Sequence, residues 1–262
     1  MAIIMNIVAI VALPENREEA AGRLVKALGL SLYEARQRLG AGGGSVAGPI
    51  VVGAFAEKER AGLLLEKLQS EGFSAMLLED EALQAEAGIK SVKRFELGET
   101  GLALNLTDGG SLILPYLAIN LIIRGRTTST NIRTETKVER KFSLQRTLIT
   151  QGLSMTKKEK TVHEIKTVEQ EGFANIYSDG LPAVCLPENR LLYDSLGLAL
   201  KPTRAANFGY LIQELRRRCT QARYDERLLN KFAYTSMLGP SLHLEKYPFV
   251  ATALLFKTLT AR

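Results

Sequence analysis

Two histidines, His163 and His243, and two cysteines, Cys185 and Cys219, are the residues of this chain best suited to metal binding or nucleophilic chemistry. Their spacing fits neither. Zinc ligands come in close couples a few positions apart, and these four residues stand singly along the chain. A serine nucleophile elbow, Gly-x-Ser-x-Gly, does not occur. The glycine loop Gly40–Gly48 leaves a helix, enters a strand and lacks the Gly-Lys-Ser/Thr ending of a phosphate-binding loop, so it reads as a connector. Arg216-Arg217-Arg218 closes a helical stretch, where cations meet the helix dipole favourably, with a lipid or phosphate site as the alternative. These residues predict no bound metal, no organic cofactor and no enzymatic activity.

Charge is the clearer signal. Residues 1–90 hold 9 Lys and Arg against 12 Asp and Glu, whereas residues 91–262 hold 25 against 16. That shift places a domain boundary near Gly88–Ser91, giving domains 1–88 and 89–262, with the acid run Glu79-Asp80-Glu81 as a solvated linker. The basic excess gathers in 126–171. Arg126–Lys141 is rich in threonine and poor in helix formers, and Lys157–Glu171 is similarly polar, so two long strands are predicted. Between them Phe142–Met155 reads as a short apolar tip with one helix. Arg133, Lys137 and Arg140 are the candidate contacts for nucleic acid or an anionic lipid, and Leu148 and Ile149 for a protein partner. Interleaved glutamates and the lack of aromatic residues in the strands argue against base stacking. A solvated strand pair, its charges guarding exposed edges, explains the same composition. The apolar tip needs cover, against a second copy of the chain or against the N-terminal domain.

The elements that would position these residues follow from periodicity. Ala20, Ala21, Leu24, Ala27 and Leu28 line one face of a helix that Gly29 ends. Ser31 and Glu34 form a capping-box pattern for a second, shorter helix. Strands at Ile3–Leu13, Pro49–Ala54 and Ser74–Leu78 and a helix over Glu57–Glu71 complete a strand-helix-helix-strand-helix-strand order. Beyond residue 90, Val92–Leu97, Leu102–Thr107 and Ser111–Leu114 read as strands, the last two joined by Asp108-Gly109-Gly110. Asn207–Cys219 is an amphipathic helix, and Pro248–Leu259 a buried one with Pro248 in its first turn. The opening run Ala2–Leu13 has no positive charge before Arg17 and is shorter than the about 20 residues of a membrane span, so it reads as core. With no disulfide pattern, the chain is expected to be cytoplasmic and without a transmembrane segment.

Two resemblances follow. The run Ala27-Leu28-Gly29-Leu30-Ser31-Leu32-Tyr33-Glu34-Ala35-Arg36, then a strand, an acidic helix and Glu71-Gly72-Phe73, resembles the C-terminal domain of the bacterial ribosomal stalk protein over residues 5–80. That resemblance implies a small α/β sandwich. In the stalk family basic residues on the first strand and helix pair recruit translation factors; the strand Ile7-Val8-Ala9-Ile10-Val11-Ala12 lacks that lysine, so recruitment is not carried over. The hairpin at Asp108-Gly109-Gly110 and the step Pro115-Tyr116 to Ile119 loosely resemble bacterial pleckstrin-homology-like domains over residues 92–220. Such domains are partly open barrels capped by one helix, here Asn207–Cys219. The expected whole is an α+β, two-domain, bacterial-type chain that works as a protein-protein interaction or scaffolding module, with nucleic acid or anionic lipid as the alternative partner.

Overall fold

The computed structural model describes residues 5–40, 48–142, 156–240, 242 and 247–260, and the side chains of all of these except 128–169. The chain is mixed α+β with two sheets. It divides into two compact units, one of Met1–Thr127 with Glu171–Arg262 and one of Thr128–Gln170.

In the first unit, β1 (Asn6–Ile10) is central to a three-stranded antiparallel sheet, flanked by β2 (Ile50–Phe55) and β3 (Ala75–Leu78). Every β1 residue is buried. Ile7 and Ala9 pack on one side and Val8 and Ile10 on the other, which explains an unbroken apolar run where a half-exposed strand would alternate. The helices α1 (Arg17–Leu28), α2 (Leu32–Arg38) and α3 (Lys58–Ser70) cover the Val8 side. Between α1 and α2, Gly29 takes φ 68°, the left-handed conformation that favours glycine. Ser31 Oγ accepts the Glu34 amide, while Glu34 accepts the Ser31 amide at 2.9 Å. The capping box read in the sequence is therefore formed.

One expectation fails at the acid run. Glu79 is the N-cap of a further helix, α4 (Asp80–Ala87), whose Leu83 and Glu86 are buried. Three acids in a row read as solvent-facing linker, but Asp80 and Glu81 occupy a first helical turn, where the dipole favours negative charge. Asp80 also accepts the Met5 amide at 2.9 Å.

The second sheet contains β4 (Lys90–Leu97), β5 (Gly101–Leu106), β6 (Ser111–Pro115), β7 (Ile119–Phe142), β8 (Thr156–Ser178), β9 (Leu181–Pro187) and β10 (Arg223–Leu228), in the order β10-β7-β8-β9-β4-β5-β6. It is open, with β10 and β6 as its edges, so the sheet does not close into a barrel. The edge beside β7 is taken by β10, which adds there in parallel. Gly125 of β7 fits this crowded place: a Cβ there would lie 2.5 Å from Phe173 Cζ and 2.8 Å from Leu228 Cβ.

The helix α5 (Arg204–Arg218) buries Phe208, Leu211, Ile212 and Leu215 against one face of that sheet, as its periodicity predicted. The other face, with Leu121, Ile123, Phe173 and Tyr177, packs on α6 (Lys231–Leu238) and α7 (Pro248–Thr260). The same cluster includes Ile7, Ala9 and Leu78 from the first sheet, Met5 just before β1, and Leu83 of α4. Thus α7 is buried between the two sheets, which accounts for an apolar helix whose Val250, Ala251, Leu254 and Leu255 are fully covered. No helix among the described residues is long and apolar enough to cross a membrane.

Candidate functional site

Glu86 follows Leu83 by three positions on α4, so its side chain shares the face that packs towards α7. A glutamate so deeply buried needs partners. Its Oε1 accepts the Tyr177 hydroxyl at 2.5 Å and Asn175 Nδ2 at 3.2 Å. Asn175 and Tyr177 are two apart on β8 and therefore face the same way. Thr252, on α7, also hydrogen-bonds the carboxyl group. Four polar side chains from three elements thus meet inside an apolar layer.

Burial raises the Glu86 pKa, and the hydrogen bonds from Tyr177, Thr252 and Asn175 only partly oppose it. Thr252 Oγ1 also donates to the Phe249 carbonyl one turn back on α7 at 2.9 Å. Burial and the adjacent Glu86 push the Tyr177 phenol far above its ordinary value, so it remains a neutral donor. The Cys185 thiol, opposite Asn175 in the β8–β9 ladder, is pushed by burial up to about 12 and is no nucleophile near neutral pH.

A cleft of about 850 Å³ opens over this cluster. Ala82 and Ala85 of α4, Pro182 and Ala183 of β9, and Ala253 and Phe256 of α7 form mostly apolar walls. The Phe256 ring stacks on Tyr177 at 4.5 Å, which fixes the floor. The mouth is polar. Asn120 Nδ2 donates to Asp179 at 2.5 Å, Arg223 donates to the Leu259 carbonyl at the end of α7, and Lys257 stands exposed one residue beyond Phe256. Asn120 Oδ1 and Ser178 Oγ are buried in the same wall without a hydrogen-bond partner.

The residues singled out in the sequence are not brought together here. Arg133, Lys137 and Arg140 lie on β7, and their side chains are outside the described ones; so is that of His163 on β8. Leu148, Ile149, His243 and most of the Gly40–Gly48 loop fall outside the described residues altogether. The basic end of α5 is engaged within the fold: Arg217 and Arg218 reach Glu214 at 2.7 and 3.2 Å, and Arg216 lies 4.2 Å above the Tyr224 ring. Arg218 also donates to the Gly98 carbonyl at 2.6 Å. Cys185 and Cys219 are both free thiols. Among the described residues no three His, Cys, Asp or Glu side chains gather as metal ligands would.

Sequence reasoning passed over Glu86, Asn175, Tyr177 and Thr252. Their only trace is an isolated polar group set in the apolar faces of α4 and α7 and a pair on one face of β8. Set against protein-family models, curated proteins and solved structures, the chain matches none of them.

Proposed function

We propose that this protein acts by binding and not by catalysis, as an interaction or scaffolding module that engages a protein partner through residues 128–170, foremost a second copy of itself. The observation behind this reading is strand length. β7 has 24 residues and β8 has 23, whereas the remaining strands have four to eight. β10 accompanies β7 only over Leu121–Gly125, and β9 accompanies β8 only from Phe173 onwards. Beyond those registers, among the described residues, the two long strands have only each other as sheet neighbours. A two-stranded ribbon is marginal in water on its own. An apolar tip carrying Leu148 and Ile149 would gain roughly 1.5–3 kcal/mol for each such side chain it buries.

Two finer fold readings accompany this proposal. The strand-helix-helix-strand-helix-strand order with β1 central supports a stalk-like N-terminal domain over 1–88. The open sheet with α5 on one face supports a pleckstrin-homology-like domain over 89–262. The tied-down arginines of α5 weigh against nucleic acid or anionic lipid as the first partner.

The test compares two variants of the full chain, Leu148→Asp with Ile149→Asp and Arg133→Glu with Lys137→Glu and Arg140→Glu. Light scattering should give a lower mass for the tip variant and an unchanged mass for the charge variant. A salt-sensitive affinity for duplex DNA or anionic vesicles that only the charge variant loses would instead identify an anionic partner.

A further inference from the structure

The cleft over Glu86 is lined by residues of the larger unit, and its chemistry points to a second kind of ligand. We infer that it binds a small single-chain amphipathic monoanion, an aliphatic carboxylate whose chain lies between α4 and α7 and whose head group meets Lys257 and Arg223.

Size is the first argument. About 850 Å³ lies within the usual range of small-molecule sites and far exceeds an ordinary packing defect. The walls give the class of the buried part: Ala82, Ala85, Ala253 and Phe256 offer short or flat apolar surfaces, which suit an alkyl chain. Charge gives the head group. Lys90 is neutralised by Asp108 at 2.9 Å, outside the count at the mouth. Among the described residues Arg223 and Lys257 line the cleft with Asp179 as the one acid besides the buried Glu86, so cations predominate at the mouth. Lys257 makes no salt bridge among the described residues. Ala253, Lys257 and Thr260 recur at helical spacing along the cleft side of α7, so the lysine stem can cover the chain while its ammonium group stays at the mouth.

Burial raises the Glu86 pKa, which weakens the repulsion its carboxyl group would exert on an anion. Phe256, stacked on Tyr177, gives the chain a flat aromatic surface beside the Glu86 cluster.

The experiment is isothermal titration of the full chain with decanoate, decyltrimethylammonium and decanol, chain-matched probes of negative, positive and zero charge. Decanoate should bind once per chain. Lys257→Glu should weaken it about tenfold or more, the effect of losing one favourable charge contact and gaining a repulsive one. Ala85→Trp, at an exposed helix position that tolerates a large residue, should abolish binding while leaving the thermal midpoint near that of the wild type. Binding of the ammonium or the alcohol as tightly as decanoate would overturn the inference. So would decanoate binding unchanged in both variants, or no binding of decanoate at all. None of these results depends on the state of association that tests residues 128–170.

Discussion

Glu86 shows how one side chain can tie stability to pH. Its folded pKa lies above the ordinary 4.5. Between those two values the folded chain holds a proton that the unfolded chain has released, so stability falls as pH rises through the folded pKa and is fully kept below 4.5. Glu86→Gln keeps an oxygen for Tyr177 and Asn175 but cannot ionise. Urea midpoints measured across pH should therefore decline for the wild type in that window and stay flat for Glu86→Gln, which should be the more stable of the two at alkaline pH. An identical decline in both would assign the effect to another group. Tyr177→Phe keeps the stack on Phe256 and removes one donor to a buried carboxyl, so a loss of about 1–3 kcal/mol is expected in the same assay. The partners explain why this cluster was illegible in the sequence. Asn175 and Tyr177 stand 89 and 91 positions from Glu86, and only the tertiary fold joins them. Ser31 and Glu34, three positions apart, could be read at once.

Elements built from local signals were read best. The α1–α2 pair, with Gly29 and the capping box, depends on residues within a dozen positions of one another. Ser31→Ala should cost about 1 kcal/mol in thermal or denaturant unfolding, since it removes an N-cap oxygen. β10 was missed because Arg223–Leu228 is polar and half-exposed, with neither alternation nor an apolar run; its strand character comes from pairing with β7, about a hundred residues earlier in the chain. α4 was missed because its acids masked a helix start. Crowding near β10 provides a test at this scale. Gly125→Ala places a methyl group against Phe173 and Leu228, and overpacking of this kind should destabilise by about 1–3 kcal/mol. Gly109→Ala, at a turn where the added Cβ meets nothing within 4 Å, tests positive φ without crowding and should cost less.

In the larger unit both sheets share the layer that contains α7, so its stability should not divide at residue 88. Leu254→Asp, at a fully buried position of α7, should lower amide protection in β1 and β7 together, because a buried unpaired charge disturbs the core common to both. Loss confined to one sheet would indicate that each folds alone. The charge shift near Gly88–Ser91 reports on surfaces, while the apolar residues of β1, β7 and α7 determine what packs together, and this measurement asks whether the two divide at the same place. The claim that residues 128–170 are the contact surface is tested most directly by removing them. A chain in which Arg126 is joined to Glu171 through an Asn-Gly turn keeps every described contact of β10, β9 and α7, and the turn suits a tight hairpin. Sedimentation equilibrium across a concentration series should show the full chain associating and the shortened chain monomeric, with the shortened chain still folded by circular dichroism. Equal masses for the two folded chains at every concentration would contradict the account.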